Sequence, residues 1–162
     1  MVKPPKKQEK QAELLVAQNR AASYNYHLLE KHEAGMVLLG TEVKSLREGK
    51  ANVRDAYAVI RGGAVWLLNC HISEYLPGGP FNHQPLRSRK LLLRSEEIEK
   101  LDRKMDQKGL TLVPLRIYFR EGIAKCEIAL AQGKKKWDRR QTEKDKEAKK
   151  EVGEAMSKYR RR

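Results

Sequence analysis

Cysteine, aromatic side chains and acid are all scarce in this chain. Cys70 and Cys126 are its only cysteines, they form no C-x-x-C pair, and His27, His32, His71 and His83 recur at no metal-ligand spacing. No metal site and no cofactor is therefore expected. Each thiol reads instead as a small buried side chain, with Cys126 alternating inward beside Ala124, Ile128 and Leu130. A nucleophilic pairing of Cys70 with a distant histidine is the competing reading. Asp55, Asp102, Asp106 and His71 stand at no spacing that suggests a paired acid and base, so no catalytic residue is assigned. No apolar run approaches the ~18 residues of a membrane span, and residues 1–10 lack the apolar core of a secretion signal. The expectation is a cytoplasmic protein without membrane contact.

What the chain has in excess is positive charge. Thirty-five Lys and Arg stand against twenty-one Asp and Glu, a formal net charge of +14, which favours a polyanionic partner. The excess is uneven. From Gly133 to Arg162 there are thirteen basic and six acidic residues, so the last thirty residues hold half of it. The whole chain, 162 residues, is long enough for one domain with a core that needs no staples.

The organising stretch runs from Glu33 to Asp55. Glu33-Ala34-Gly35 reads as a turn into the apolar run Met36–Leu39, and Gly40 ends that strand. Thr41 is placed to cap a short helix that buries Val43 and Leu46, leaves Lys44, Arg47 and Lys50 outward and stops at Gly49. Upstream, Asn19 reads as the cap of a short helix, and Tyr24–Leu29 as a strand paired with the Met36 strand in a hairpin. The Glu13–Gln18 segment is an edge strand or a helix start. Ala56–Arg61 and Ala64–Asn69 flank Gly62-Gly63 as a primed-turn hairpin, and Leu110–Phe119 with Ile123–Ala131 form a second around Glu121-Gly122. Between them, residues 76–90 read as a surface loop entering strand Leu91–Leu93, and Ser95 caps a helix that buries Ile98, Leu101 and Met105.

Six or seven hairpin-connected strands would leave two open edges as a flat sheet, so closure into a small OB-like barrel is the economical solution. The fold class is therefore mostly β: a closed antiparallel barrel with two or three short helices. A two-layer α+β sandwich is the alternative. Residues 1–10 read as a disordered basic arm, residues 11–132 as the barrel and residues 133–162 as a basic tail. Ala148, Val152, Ala155, Met156 and Tyr159 share one helical face that begins at Thr142, supported by Asp145–Lys149 and Glu154–Lys158 pairs. Such a segment is marginal alone in water, so the tail is expected to be disordered when free and helical against a partner. Trp137, between Lys134–Lys136 and Arg139-Arg140, suits stacking on an unpaired base; folding back on the barrel is the other reading.

Several stretches together resemble the small protein B (SmpB) family, the protein partners of transfer-messenger RNA (tmRNA). They are Asn19-Arg20, Glu33-Ala34-Gly35, Gly40-x-Glu42-Val43-Lys44-Ser45-Leu46-Arg47, Gly49-Lys50-Ala51-Asn52, Arg87-x-Arg89-Lys90-Leu91-Leu92-Leu93 and Gly133-Lys134-Lys135. The resemblance implies an OB-like barrel that binds the tRNA-like part of tmRNA and rescues ribosomes stalled on messages without a stop codon. It implies RNA contacts at Asn19, Arg20, Tyr24, Glu33, Lys44, Arg87, Arg89 and Lys90. It places Gly133, Lys134, Lys135, Lys136, Trp137, Asp138, Arg139 and Arg140 at the ribosomal decoding centre, with the tail in the empty message channel. It also implies elongation factor Tu as a partner through alanyl-tmRNA. The chain departs from the family at Trp137, where His is common, and only partly resembles it at Ala155-Met156-Ser157-Lys158.

From the residues alone, Glu33 inside a cationic RNA surface should either accept from a base amino group or 2′-hydroxyl, or orient a neighbouring arginine. Three functions compete: a non-enzymatic adaptor in ribosome rescue, a ribonuclease or RNA-modifying enzyme, and a general chaperone of structured RNA.

Overall fold

A computed structural model describes residues 12–107 and 109–161. The expected arm at residues 1–10 and the basic residue Lys108 lie outside them. In chain order the elements are β1 (Glu13–Gln18), α1 (Ala22–Asn25), β2 (Tyr26–Met36), α2 (Gly40–Arg47), β3 (Ala51–Asn52), β4 (Tyr57–Arg61), β5 (Ala64–Leu68) and β6 (His71–Ile72). A 3₁₀ helix (Leu76–Phe81), β7 (Arg89–Leu92), α3 (Ser95–Met105), β8 (Leu110–Arg120), β9 (Ile123–Gly133) and α4 (Lys136–Arg160) follow.

Six antiparallel strands pair in the order β8, β4, β5, β7, β2, β9 and return to β8, so the sheet closes into a ring. The narrowest joint is β4 with β8, where Ala58 lies opposite Leu112. β1 is a strand after all, laid along the outer half of β8 with Leu14 opposite Phe119, and β3 with β6 makes a separate small sheet. Period-two alternation fills the ring from all sides: Ala34, Val65, Leu67, Leu91, Leu112, Ile117, Cys126, Ile128 and Leu130 are buried together. Leu46 of α2 and Leu101 of α3 belong to the same core. Each such aliphatic side chain contributes about 1.5–3 kcal/mol through burial.

Both hairpins stand as the turn chemistry dictates. Gly62 and Gly63 have φ of 58° and 70°, and Glu121-Gly122 have 52° and 76°.

Four local readings are corrected. Glu33-Ala34-Gly35 is not a turn but the interior of β2, which runs unbroken for eleven residues and pairs first with β9 and then with β7. Gly35 keeps a negative φ, and a Cβ there would meet Leu92 Cβ at 3.4 Å, an ordinary packing contact. Thr41 does not cap α2, since Leu39 precedes its first turn and the Glu42 carboxylate accepts the Leu39 N–H at 2.8 Å. Ser95 likewise lies inside α3, whose Glu97 accepts the Arg94 N–H, and Asn19 lies two residues before the Ala21 that precedes α1.

The tail helix starts at Lys136, a turn and a half earlier than Thr142, because Asp138 reaches back to accept the Lys135 N–H at 3.2 Å. Its i,i+4 contacts are Gln141–Asp145 and Lys150–Glu154 rather than the two expected pairs. β9 extends to Gly133, so the barrel ends there.

Candidate nucleic-acid interface

Every residue singled out above falls along β2 or at one of its ends. An eleven-residue strand spans about 35 Å, so β2 acts as the ruler of the site.

At its far end, β2 delivers the chain into α2, and Glu42 in the first turn of α2 is fully buried. Its oxygens accept from Arg87 Nε at 3.1 Å and Nη2 at 2.6 Å, and from Arg89 Nε at 2.8 Å. Burial alone would raise this carboxyl. The hydrogen bonds from Arg87 and Leu39, together with the Arg89 charge, outweigh that and hold it below the ordinary carboxylate range. Arg89 is 0% exposed and also donates to the Cys70 carbonyl at 2.6 Å and the Pro85 carbonyl at 3.0 Å. Arg89, expected at the RNA, is enclosed here, and its guanidinium binds the loop to α2. Arg87 keeps its side chain 31% exposed, and Lys90 and Lys44 are exposed, Lys44 lying 5.4 Å above the Tyr75 ring. His83 is a core histidine, 2.9 Å from both Thr41 Oγ1 and the Ile72 carbonyl.

Along the middle of β2, Glu33 joins a ladder of charge on the outer face of the sheet. It accepts from the Tyr118 hydroxyl and from Arg120 at 2.8 Å, with Lys125 at 3.9 Å. Arg120 continues to Glu13, which also accepts from Arg116 at 2.6 Å, and Arg116 reaches Glu127 at 2.9 Å. The Tyr118 ring is buried beneath two guanidiniums, Arg116 at 4.3 Å and Arg120 at 5.5 Å. Burial and the bond to Glu33 push its hydroxyl well above the usual range. Of the two roles open to Glu33, positioning arginine is the one this geometry performs. Arg116, Arg120 and Lys125 were missed as site residues, although the outward alternation of Arg116, Tyr118 and Arg120 was visible. Glu42 was missed because its partners lie forty-five and forty-seven residues away.

The near end of β2 meets α1 and the root of the tail. Asn19 is 8% exposed, donates to the Pro114 carbonyl at 3.3 Å, and has its Oδ1 buried without a partner. It borders a cleft of about 620 Å³ that Arg20, Ser23, Lys31 and Arg116 also line. The Tyr24 hydroxyl donates to Glu143 at 2.7 Å, and Lys146 stands 5.7 Å over its ring. Lys134 donates to the Ser23 carbonyl and to Thr142, both at 2.9 Å, and Asp138 lies 3.4 Å from His27. Gly133 closes β9; Lys135, Lys136 and Arg140 are exposed, Arg139 is half-buried, and Trp137 is 67% exposed, not folded onto the barrel. Past Thr142 every described tail residue is exposed, the Ala148–Tyr159 stripe included.

Both thiols are buried, and burial pushes Cys70 up to about 11 and Cys126 higher still. Among the described residues no three His, Cys, Asp or Glu side chains group as metal ligands, and no described helix is long and apolar enough to cross a membrane.

Comparison with known proteins agrees with this layout. A family model described as "SmpB protein" matches residues 16–158. An SsrA-binding protein of Trichodesmium erythraeum is 53% identical over 154 residues, covering 94% of this chain and 99% of its own. One from Thermobifida fusca is also 53% identical, over 156 residues, covering 96% and 98%. A solved chain described under "tmRNA-SmpB: a journey to the center of the bacterial ribosome" superposes with a TM-score of 0.63 at 49% identity, covering 74% of this chain and 84% of that one. With the family model matching residues 16–158 and relatives 53% identical over nearly the whole of both chains, the protein belongs to the SmpB family.

Proposed function

We propose that this chain is a tmRNA-binding adaptor that delivers tmRNA to stalled ribosomes for trans-translation. The observation that carries it is a closed ring whose outer ladder of paired charges runs through Glu33 of β2, joined to a 25-residue helix, about 37 Å long, whose side chains past Thr142 are all exposed. A rigid body that holds RNA, with a projecting cationic rod, suits two polyanions at once. The barrel stands in for the anticodon arm that the tRNA-like domain lacks. The rod enters the empty message channel, with Lys134–Lys136, Trp137, Arg139 and Arg140 at the decoding centre. Asn19, Arg20, Tyr24, Lys44, Arg87 and Lys90 contact tmRNA; Glu33 orders Arg120 and Lys125 toward it, and Arg89 acts only by bracing Glu42 and Arg87. Elongation factor Tu joins through alanyl-tmRNA, and the work is done in the cytoplasm by binding, without a catalytic step.

A gel-shift with the tRNA-like domain of tmRNA tests this. If about five phosphates are neutralised, log K falls with log salt at a slope of about −3.5 to −4.5. Bulk tRNA is expected to compete poorly. A flat salt response, or competition by bulk tRNA at equal affinity, contradicts the reading, the latter in favour of a general RNA chaperone.

A further inference from the structure

Arg116 of β8 is held from three directions. Its guanidinium lies 4.3 Å over the buried Tyr118 ring, while its Nε donates to Glu127 at 2.9 Å and its Nη1 to Glu13 at 2.6 Å. With one face against a ring and two of its three nitrogens on carboxylates that balance its charge, the group has little left to offer a phosphate. What stays open is the flat cationic face turned away from Tyr118, on a side chain 31% exposed. Arg116 also lines the cleft of about 620 Å³ beside Asn19, together with the half-buried Leu28 and the exposed Arg20 and Lys31. That volume lies within the ~300–1,000 Å³ of small-molecule sites. Glu127 at the same cleft is paired with Arg116 and stands 3.9 Å from Lys31, so the lining keeps a positive balance.

We propose that this cleft is a slot for one unpaired nucleobase, which stacks on Arg116 beside Leu28 while its flanking phosphates lie on Arg20 and Lys31. This deepens, and rests on, the RNA-contact reading of Asn19 and Arg20. The electrostatics favour a base over a phosphate at Arg116: Glu13 and Glu127 repel an anion arriving in the guanidinium plane, whereas a neutral π-face meets the cation without that penalty. The ion pairs and the Tyr118 ring also fix the guanidinium before the base arrives, which lowers the cost of ordering it. Asn19 adds a polar group. Its backbone N–H donates to the Leu115 carbonyl at 2.7 Å and its Nδ2 to the Pro114 carbonyl at 3.3 Å, which sets the amide and leaves Oδ1 buried without a partner. A base donor pressed into the cleft wall satisfies that acceptor. Because only an unpaired base offers its face, the slot selects single-stranded or looped positions over duplex. Such a base is supplied either by the tRNA-like domain or by ribosomal RNA.

The test uses the full chain with two RNAs, an in vitro transcript of the tRNA-like domain and vacant ribosomes. Dimethyl sulfate reads unpaired adenine and cytosine and a carbodiimide reads guanine and uracil, so every base is covered. Wild-type protein is expected to shield one unpaired base that Arg116→Lys leaves reactive, with the rest of the footprint unchanged. The RNA in which that base lies names its source. Lysine keeps the charge and loses the flat face, so Arg116→Lys is expected to bind that RNA about three- to thirtyfold more weakly with an unchanged salt slope. Leu28→Trp, which fills the cleft and leaves Arg116 in place, is expected to lose the same protection. An Arg116→Lys footprint and affinity equal to wild type on both RNAs overturns the slot, and so does a Leu28→Trp protein that still shields the base. Failure of the wild-type protein to discriminate the transcript from bulk tRNA instead overturns the functional reading beneath it.

Discussion

Arg89 is a brace for the segment proposed to meet RNA. Enclosed with Glu42, it holds the Arg87–Lys90 segment against α2. Removing one partner leaves an unpaired buried charge, so Arg89→Leu is expected to cost about 3–5 kcal/mol in denaturant unfolding while Lys90→Ala leaves stability unchanged. The Glu42 carboxyl is depressed in the folded state. Its contribution is therefore complete above the unfolded value near pH 4.3 and is lost as pH falls through the lower folded value. Stability measured from pH 6 to pH 3 is expected to fall less steeply in Glu42→Gln, which begins less stable; parallel curves contradict the assignment. The proposed role of Glu33 is in specificity. Because it orders Arg120 and Lys125, Glu33→Ala is expected to weaken binding of the tRNA-like domain more than binding of unrelated structured RNA, and equal losses in paired gel-shifts remove it from the specific site.

Among the elements, α4 gives the sharpest contrast between local and tertiary stability. Its first turns are tied to Tyr24 and His27, while among the described residues the turns past Lys146 have only themselves and the Lys150–Glu154 pair. A proline at Lys150 therefore costs about 3 kcal/mol of helix and nothing of the barrel. It is expected to leave tmRNA affinity unchanged while slowing accommodation of the first tagged residue. Trp137→Ala is expected to lose about 1–3 kcal/mol of stacking in ribosome binding, and Trp137→His to recover much of it. The elements also show where sequence reading succeeds. Gly62-Gly63 and Glu121-Gly122 were legible because a tight hairpin encodes its positive φ locally. Glu33-Ala34-Gly35 was not, because what makes it strand interior is its pairing with β9 and β7 across the sheet. The helix starts slipped by one to six residues because Glu42, Glu97 and Asp138 reach back from within α2, α3 and α4 to bind the preceding N–H, and no residue before the helix marks that. The ion pair of Glu42 with Arg89 carries no local signature at all.

For the whole molecule, the proposed function divides the work between ring and tail. The ring is closed by β9 at Gly133, and Lys134 is the last residue whose backbone is bound to it, through the Asn25 carbonyl at 2.9 Å. Nothing in the core depends on α4, whose described residues include none that is buried. A chain ending at Gly133 should therefore fold and hold tmRNA, and yet be unable to report an empty message channel. The direct measurement is peptidyl transfer to alanyl-tmRNA on ribosomes with a vacant A site, run beside a tmRNA gel-shift for the truncated and full-length proteins. The account requires tmRNA binding to survive truncation and tagging to be abolished. Tagging by the truncated chain at the full-length rate, or loss of tmRNA binding together with tagging, contradicts it.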